Sequence, residues 1–235
     1  MTIQARIENL DWPATERSLG ERGYACIGPL LTPDECSGLI GLYADPSQFR
    51  SRIDMARYRF GEGDYQYFAS LPPIVQQLRE NIYPYLAEVA NRWNGLLGEP
   101  GLFPGDLDGF LSQCHAIGQT KRTPLLLHYE AGGYCLHQDL YGELAFPLQL
   151  VCCLSEPERD FSGGEFLLVK QRPRAQSRGE TVSPRRGEGI IFTTRYRPVK
   201  SSRGFYRANM KHGVSVSSVK RGTRYTLGVI FHDAL

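Results

Sequence analysis

The chain has 235 residues and a formal net charge of +2, and 41% of its residues are hydrophobic and 11% aromatic. This length favours one large domain over two small ones, and the hydrophobic content is sufficient for a substantial core. No apolar run approaches transmembrane length, and residues 1–10 lack the apolar segment of a signal peptide, so we expect neither a membrane protein nor a secreted one.

The cysteines of the chain have no spacing typical of a metal site. They are Cys26, Cys36, Cys114, Cys135, Cys152 and Cys153. No Cys-x-x-Cys pair occurs among them. Cys152 and Cys153 lie inside the apolar run Leu148–Leu154, which favours buried and inert thiols. These features are typical of a reduced, cytoplasmic enzyme of bacterial type.

The N-terminal part of the chain predicts a strand and then a helix. Residues 22–29 contain a short apolar strand that leads into a turn. Thr32, Pro33 and Glu35 form the pattern of a helix start, with Thr32 as N-cap and Glu35 as the carboxylate of a capping box. The apolar stripe of this helix comprises Cys36, Leu39, Ile40 and Tyr43. We expect the helix to end at Asp45-Pro46.

The segment 49–68 is rich in Arg, Gly and Tyr and predicts a loop with a short strand. A second helix is predicted from about Pro72 to Trp93, because apolar residues recur there at helical spacing. Pro84 is expected to kink or divide this helix. Glycine and proline indicate a loop from Gly95 to Gly109. Residues 1–110 are therefore expected to form a helical support region.

From residue 111 onward the sequence predicts β-structure. Short apolar runs are separated by turn residues: Leu125–Tyr129, Phe146–Leu154, Phe166–Val169, Gly189–Thr193 and Arg224–Phe231. Short strands without intervening helical patterns favour a sandwich or barrel. Gly163-Gly164 and Arg186-Gly187 are expected to be hairpin turns, and Arg172–Arg186 an exposed loop. The predicted fold is one domain over residues 1–235, α+β but mainly β, with a β core at 111–235.

His137 and Asp139 are separated by one residue, so on an extended strand their side chains leave the same face. An imidazole and a carboxylate held side by side can occupy two adjacent positions on a metal ion. A second histidine completes the two-histidine, one-carboxylate set of non-haem Fe(II) oxygenases, which leaves three positions open. The best candidate is His212, within Met210–Val216. The remaining histidines receive no assignment: His115, His128 and His232.

Further motifs follow in a fixed order: Tyr129–Asp139, Gly163-Gly164-Glu165, Gly187–Phe192, His212-Gly213-Val214 and Gly222–Thr226. In this order and spacing, residues 125–231 resemble the Fe(II)/2-oxoglutarate-dependent dioxygenases, in a version similar to prolyl-hydroxylase-type domains. The resemblance implies a double-stranded β-helix, or jelly-roll, as the catalytic core, with supporting N-terminal helices. It also implies an enzyme that uses Fe(II), 2-oxoglutarate and O2.

The resemblance also implies roles for individual residues. The two histidines and the aspartate named above would bind the iron as the catalytic centre. Arg224 would pair with the remote carboxylate of 2-oxoglutarate, a role that suits a planar guanidinium, since it meets a carboxylate with two parallel hydrogen bonds. Thr226 leaves the same face of that strand and would add a hydroxyl donor, and Tyr129 would bond to the same carboxylate. The keto-acid end would bind iron through two oxygens and leave one position for O2.

Charge is unevenly distributed along the chain. Residues 1–100 carry 9 Lys/Arg and 13 Asp/Glu, whereas residues 170–224 carry 15 Lys/Arg against only Glu180 and Glu188. A surface this basic suits an anionic partner. Alternatively, some of these arginines bind the cosubstrate, pair with the acidic N-terminal half or are solvated in loops. Both interpretations are open at this point.

Two substrate classes are compatible with the sequence. The resemblance is closest to bacterial 2-oxoglutarate oxygenases thought to act on damaged nucleic acid by oxidative demethylation, and the basic segment 170–224 favours phosphate contacts. Arg195, Arg197, Arg203 and Arg207 alternate with aromatic residues that could stack on an exposed base. The alternative is a hydroxylase of a peptidyl side chain or free amino acid, because Ile230 stands where alkylation-repair demethylases usually have a second arginine. We make no prediction of the oligomeric state.

Overall fold

The computed structural model describes residues 1–59, 61–130, 136–139, 141–171, 176–214 and 219–235. Over these residues the chain forms five α-helices: α1 Ile3–Glu8, α2 Trp12–Arg22, α3 Pro33–Leu42, α4 Pro73–Leu97 and α5 Leu107–Ala116. The same residues form thirteen strands: β1 Tyr24–Ile27, β2 Phe49–Asp54, β3 Gly63–Phe68, β4 Leu125–Tyr129, β5 Leu148–Cys153, β6 Phe161–Gly163, β7 Phe166–Lys170, β8 Arg178–Val182, β9 Gly189–Thr193, β10 Tyr196–Ser201, β11 Gly204–Val214, β12 Val219–Gly222 and β13 Arg224–Val229. None of these helices is long and apolar enough to cross a membrane.

The described strands form two main antiparallel sheets. The first, called the large sheet below, has the strand order β1-β9-β5-β13-β4-β3-β2, and the second, called the small sheet, has the order β10-β11-β7-β8. From β5 to β13 the odd-numbered strands alternate between the large and the small sheet, which is the winding of a jelly-roll. This arrangement confirms the predicted α+β, mainly β fold with a double-stranded β-helix core.

The large sheet has a helix-facing side and a side that faces the small sheet. Side chains alternate between the two faces of the sheet along each strand, so neighbouring residues on β5 or β13 point to opposite sides of the large sheet. Leu150 and Leu227 are fully buried in the main hydrophobic core together with Leu86 of α4. Their neighbours Gln149 and Thr226 instead line a cavity on the other side of the sheet. The helices thus stabilise the sheet from one side and leave the other side available for chemistry.

Helix α4 runs from Pro73 to Leu97 without interruption, although a kink or division at Pro84 was expected. Tyr83 and Leu86, close to this proline, are fully buried in the core, and this packing holds the helix in place despite the missing backbone donor. A buried guanidinium adds a further connection. Arg79 donates to the carbonyls of Ile230 and Phe231 at 2.9 and 3.0 Å, and to Asp233 at 2.7 Å.

The three histidines without a sequence assignment have structural contacts. His115 lies 2.9 Å from the carboxylate of Asp233, and His128 lies 3.2 Å from that of Asp64. His232 accepts a hydrogen bond from the backbone N–H of Phe146 at 3.1 Å. Burial, together with the nearby charge of Arg79, lowers the pKa of His232 to about 4, so its ring stays neutral and keeps this acceptor.

Several local predictions are confirmed and others are wrong. Thr32 and Glu35 form the capping box of α3, and Cys152 and Cys153 are buried free thiols. The segment 49–68, expected to be mainly loop, is instead the β2–β3 hairpin at one edge of the large sheet. The helices α1, α2 and α5 were not predicted. The first 110 residues therefore contribute three strands to the large sheet in addition to helices.

The two predicted hairpin turns lie at glycines with positive φ, but they connect different sheets. Gly163 and Gly164 have φ of 76° and 63°, and Gly187 has φ of 83°. β6 pairs with β12 rather than with β7, and β8 pairs with β7 rather than with β9. The expected loop at 172–186 contains the strand β8, and its residues 172–175 lie outside the described part of the chain. In a jelly-roll, such turns connect a strand of one sheet to a strand of another sheet.

Candidate active site

The backbone brings His137 and His212 directly opposite each other. The N–H of His137 donates to the carbonyl of His212 at 2.9 Å, and the N–H of His212 donates to the carbonyl of His137 at 3.1 Å. This reciprocal pair is an antiparallel bridge, in which side chains of facing residues leave the same side. The two imidazole rings therefore lie close together, with ring centroids 4.4 Å apart.

Asp139 completes a cluster with these two histidines. One ligand atom from each of the three side chains lies within 4.8 Å of the others. The Oδ2 atom of Asp139 is 3.1 Å from Nε2 of His212, and its Oδ1 atom is 3.5 Å from Nε2 of His137. Two imidazole nitrogens and a carboxylate oxygen are the donor set predicted from the sequence, and their geometry fits a metal ion bound on one face.

The electrostatics of the cluster favour the protonation states that a metal requires. Burial alone would raise the pKa of Asp139, but His212 and His137 beside it hold this pKa well below its usual range. Burial lowers the pKa of His212, although Asp139 partly offsets the effect. A metal ion binds an ionised carboxylate and a neutral imidazole, so the ligands need not lose protons at neutral pH.

Two side chains that the sequence analysis missed hold the carboxylate of Asp139. The hydroxyl of Tyr141 donates to Oδ1 at 3.0 Å, and Nε2 of Gln149 donates to Oδ2 at 2.9 Å. The Tyr141 hydroxyl is itself 3.2 Å from that of Tyr67 on β3. Each carboxylate oxygen thus has one donor, which fixes the plane of the carboxylate. Tyr141 could have been predicted as a partner of Asp139, because it follows Asp139 by two residues. The contact with Gln149 could be found only from the folded structure.

We expect Tyr141→Phe to weaken binding of Mn(II) about tenfold, because the hydroxyl that orients Asp139 is lost while the ring remains. Isothermal titration calorimetry with Mn(II) measures this change without turnover. Tyr65→Phe is the matched control, since Tyr65 lines the same cavity but donates no hydrogen bond to Asp139 among the described residues. Equal Mn(II) affinities of the wild type and Tyr141→Phe would contradict the role of this hydroxyl.

A cavity of about 300 Å³ lies between the sheets and contains the cluster in its wall. Arg224, Thr226 and Tyr129, the other residues singled out by the sequence, line the same cavity. Arg224 faces Tyr129 across the β13–β4 ladder, with its guanidinium 5.2 Å from the centre of the tyrosine ring. The structure therefore brings all six predicted site residues to one cavity. The motif residues 131–135 and 215–216 lie outside the described residues.

The cavity wall around Arg224 has the buried charge and hydroxyl groups that suit a carboxylate ligand. Arg224 is only 2% exposed, and none of the described carboxylates lies within ion-pair distance of it. The hydroxyl of Thr226 is buried and has no hydrogen-bond partner among the described residues. Burial raises the pKa of Tyr129 to about 12, although Arg224 acts in the opposite direction, so the hydroxyl keeps its proton. A buried cation beside a buried hydroxyl that has no partner among the described residues, that of Thr226, favours a small anionic ligand.

Several arginines of the basic segment are used inside the fold. Arg197 is 4% exposed and donates to the carbonyls of Gly20 and Glu21, so it does not lie on an open basic surface. Arg207 forms an ion pair with Glu99. The alternative that some of these arginines pair with the acidic N-terminal half thus applies to Arg207. Arg195 and Arg203 remain exposed, and Arg172 and Arg174 lie outside the described residues.

A jelly-roll that presents two histidines and a carboxylate at a cavity defines a class of protein, the non-haem iron oxygenases. Comparisons with known proteins agree. Residues 63–234 match the family Oxygenase-NA, described as an oxygenase catalysing oxidative methylation of damaged DNA. An uncharacterized protein of Mycobacterium tuberculosis is 50% identical over 165 residues, which cover 70% of each chain. The chain belongs to the Oxygenase-NA family, and the prediction of an oxygenase is confirmed.

Solved structures support the fold. A Pseudomonas putida prolyl-4-hydroxylase superposes with a TM-score of 0.53 at 14% identity, over 92% of this chain and 96% of that chain. An oxidoreductase of the 2OG-Fe(II) oxygenase family from Burkholderia pseudomallei has a TM-score of 0.51 at 14% identity, over 95% of this chain and 92% of that chain. At this level of identity the similarity concerns the architecture of the chain.

Proposed function

We propose that the protein is an Fe(II)- and 2-oxoglutarate-dependent dioxygenase that oxidatively demethylates damaged nucleic acid. The observation that carries this proposal is the placement of the His137, Asp139 and His212 cluster in one cavity with the buried guanidinium of Arg224. A metal site beside a buried cation fits a cosubstrate that has a metal-binding keto acid at one end and a carboxylate at the other. The family description supplies damaged DNA as the substrate class.

Each site residue has a defined task in this proposal. His137, Asp139 and His212 would hold the iron. Arg224 binds the remote carboxylate of 2-oxoglutarate through its planar fork, and Thr226 and Tyr129 donate further hydrogen bonds. This anchoring fixes the direction in which the keto acid points. Bound iron, with 2-oxoglutarate as the reductant, supplies the oxidation of a substrate C–H bond by O2.

The chemistry of the product explains why oxidation of a methyl group amounts to its removal. One oxygen atom of O2 enters the methyl C–H bond, and the other enters succinate as 2-oxoglutarate loses CO2. A hydroxymethyl group on a base nitrogen then releases formaldehyde and returns the nitrogen to its N–H form. The protein therefore requires no separate hydrolytic residue for the last step, and the described site residues are sufficient for it.

The β10–β11 hairpin supports a nucleic-acid substrate. Its tip exposes Phe205 and Tyr206, which are 41% and 36% exposed, next to the exposed cations Lys200 and Arg203. Aromatic rings stack on unpaired bases, and lysine and arginine neutralise phosphates. At the base of this hairpin, Gln138 of the metal-site loop donates to the carbonyl of Arg195 at 3.1 Å. Gln138 therefore connects the basic surface to the candidate iron site.

We expect the double variant Arg195→Ala/Arg203→Ala to bind oligonucleotides more weakly, and alike for every sequence, because phosphate contacts carry no sequence information. The slope of log affinity against log salt concentration should fall by roughly one unit per lost contact. Fluorescence anisotropy at several salt concentrations measures both quantities. Uncoupled turnover of 2-oxoglutarate should continue, since neither the metal ligands nor Arg224 is altered.

Arg207→Ala is the matched control, because this guanidinium is already paired with Glu99. It should leave the salt slope unchanged. The alternative function, hydroxylation of a peptidyl side chain or free amino acid, predicts little oligonucleotide binding by the wild-type protein. It is favoured by Ile230, which is buried where related demethylases usually have an arginine. Mass spectrometry after incubation with methylated oligonucleotides and with peptides distinguishes the two functions, and oxidation of peptides alone would overturn the nucleic-acid proposal.

A further inference from the structure

A second cavity of about 140 Å³ lies at one end of the small sheet. Among the described residues, it shares none of its lining residues with the first cavity. Lys170 and Met210 face each other across the β7–β11 ladder, two positions from the facing pair Leu168 and His212. Two residues along a strand span about 7 Å, and their side chains leave the same face. Met210 of the second cavity therefore lies about 7 Å along β11 from His212 of the candidate iron site.

The walls of this cavity are strongly cationic. The basic residues that line it are Arg22, Lys170, Arg178 and Arg197, and the acidic residues are Glu21 and Glu180. This set has a surplus of two positive charges. Glu180 is further engaged, because its Oε2 atom accepts a hydrogen bond from the hydroxyl of Tyr24 at 2.9 Å. The described residues around the cavity therefore supply more positive than negative charge at short range.

Arg197 shows that this surplus is built into the fold. Its guanidinium is 4% exposed and donates to the carbonyls of Gly20 and Glu21, both at 2.6 Å, at the end of α2. Its Nε atom is buried without a hydrogen-bond partner among the described residues. Gly23 leaves the space for this side chain, because a Cβ there would lie 3.0 Å from Cδ of Arg197. Among the described residues its hydrogen bonds all go to carbonyl oxygens, so this buried cation keeps an attraction for an anion.

We propose that this second cavity binds a phosphate group. A phosphate dianion matches the surplus of two charges, and its oxygens can accept from several guanidinium and ammonium donors at once. The volume exceeds that of a few water molecules, whose share of liquid volume is about 30 Å³ each, so one phosphate group fits. Met210 connects the cavity to the metal-site loop, since its carbonyl accepts from Nε2 of Gln138 at 2.7 Å.

The phosphate group can come from inorganic phosphate or from a nucleic-acid strand. The second source rests on the proposed function, and it would let a terminal 5′-phosphate of the strand set the position of the substrate relative to the iron site. The first source requires only the cavity. A failure to oxidise any oligonucleotide would therefore count against the proposed function and leave phosphate binding to be judged by itself.

The test is titration of the metal-free protein with inorganic phosphate, followed by calorimetry and by thermal denaturation at constant ionic strength in chloride. Phosphate should raise the melting temperature, because a ligand that binds only the folded state stabilises it. Arg178→Ala should weaken phosphate binding about tenfold or more, since it removes one partner of a charge-assisted pair. Glu180→Gln should strengthen binding, because it removes a repelling charge while its amide can still face Tyr24.

Arg185→Ala is the matched control, an exposed arginine of the same basic segment that does not line the cavity. Its phosphate affinity should equal that of the wild type. Absence of a phosphate-specific shift relative to chloride, or unchanged affinity in both Arg178→Ala and Glu180→Gln, would overturn the proposal. If phosphate binds, competition with a 5′-phosphorylated and an unphosphorylated oligonucleotide identifies the source: displacement assigns the site to the nucleic-acid strand, and independent binding assigns it to free phosphate.

Discussion

Replacing Asp139 with alanine is expected to abolish 2-oxoglutarate turnover and to leave the fold intact. The side chain lies between the two histidines, within 3.1 Å of His212 and 3.5 Å of His137, and it is the carboxylate member of the cluster. Without it, two imidazoles remain, which bind Fe(II) weakly and leave its position undefined. Succinate formation measures turnover, metal analysis measures iron content, and circular dichroism reports the fold.

Glu143→Ala provides the control for this experiment, because Glu143 is an exposed carboxylate four residues further along the chain. It should retain iron and turnover. The backbone bridge between His137 and His212 does not involve the Asp139 side chain, so the melting temperature of Asp139→Ala should stay near that of the metal-free wild type. Turnover at the wild-type rate in Asp139→Ala would refute the assignment of the metal ligands.

The second large effect is expected at Arg224. Arg224→Ala should raise the 2-oxoglutarate concentration needed for half-maximal turnover by about 30-fold or more, while iron content stays nearly constant. Truncating one partner of a buried, hydrogen-bonded charge pair typically costs about 2–5 kcal/mol. Arg224→Lys keeps the charge but loses the planar fork, so it should lie between the alanine variant and the wild type. Steady-state kinetics with varied 2-oxoglutarate separates these cases.

Arg221 offers the matched control for Arg224. It is three residues away on β12, exposed, and donates to the carbonyl of Glu158 at 2.9 Å. Arg221→Ala should leave the 2-oxoglutarate requirement unchanged. If instead Arg221→Ala raised the requirement and Arg224→Ala did not, the carboxylate site would have to be placed near β12.

The buried strands were predictable because their sequences are apolar throughout. β4 and β9 have the predicted bounds, and β5 and β13 differ by one or two residues at their ends. The strands β8 and β10 were missed, and only one short strand was predicted where β2 and β3 lie, because at sheet edges one face meets solvent and polar residues are tolerated. Edge strands therefore resemble loops in sequence, as the segments 49–54 and 178–182 show.

The site residues that belong to short sequence motifs were predictable. The His-x-Asp spacing and the order of the later motifs identified all six residues that the structure brings to the first cavity. Residues that act from a neighbouring strand were not predictable. Gln149 of β5 meets Asp139, ten residues earlier in the chain, only at the wall of the folded cavity, and the internal use of Arg197 depends on the position of α2.

The backbone bridge between His137 and His212 has a consequence for the lifetime of the enzyme. Because two hydrogen bonds already hold these residues face to face, little conformational entropy is lost when the ion arrives. Iron that is oxidised or chelated can therefore leave an assembled pocket, and a fresh ion can enter it without any refolding. We therefore expect His137 and His212 to stay face to face when the metal is removed.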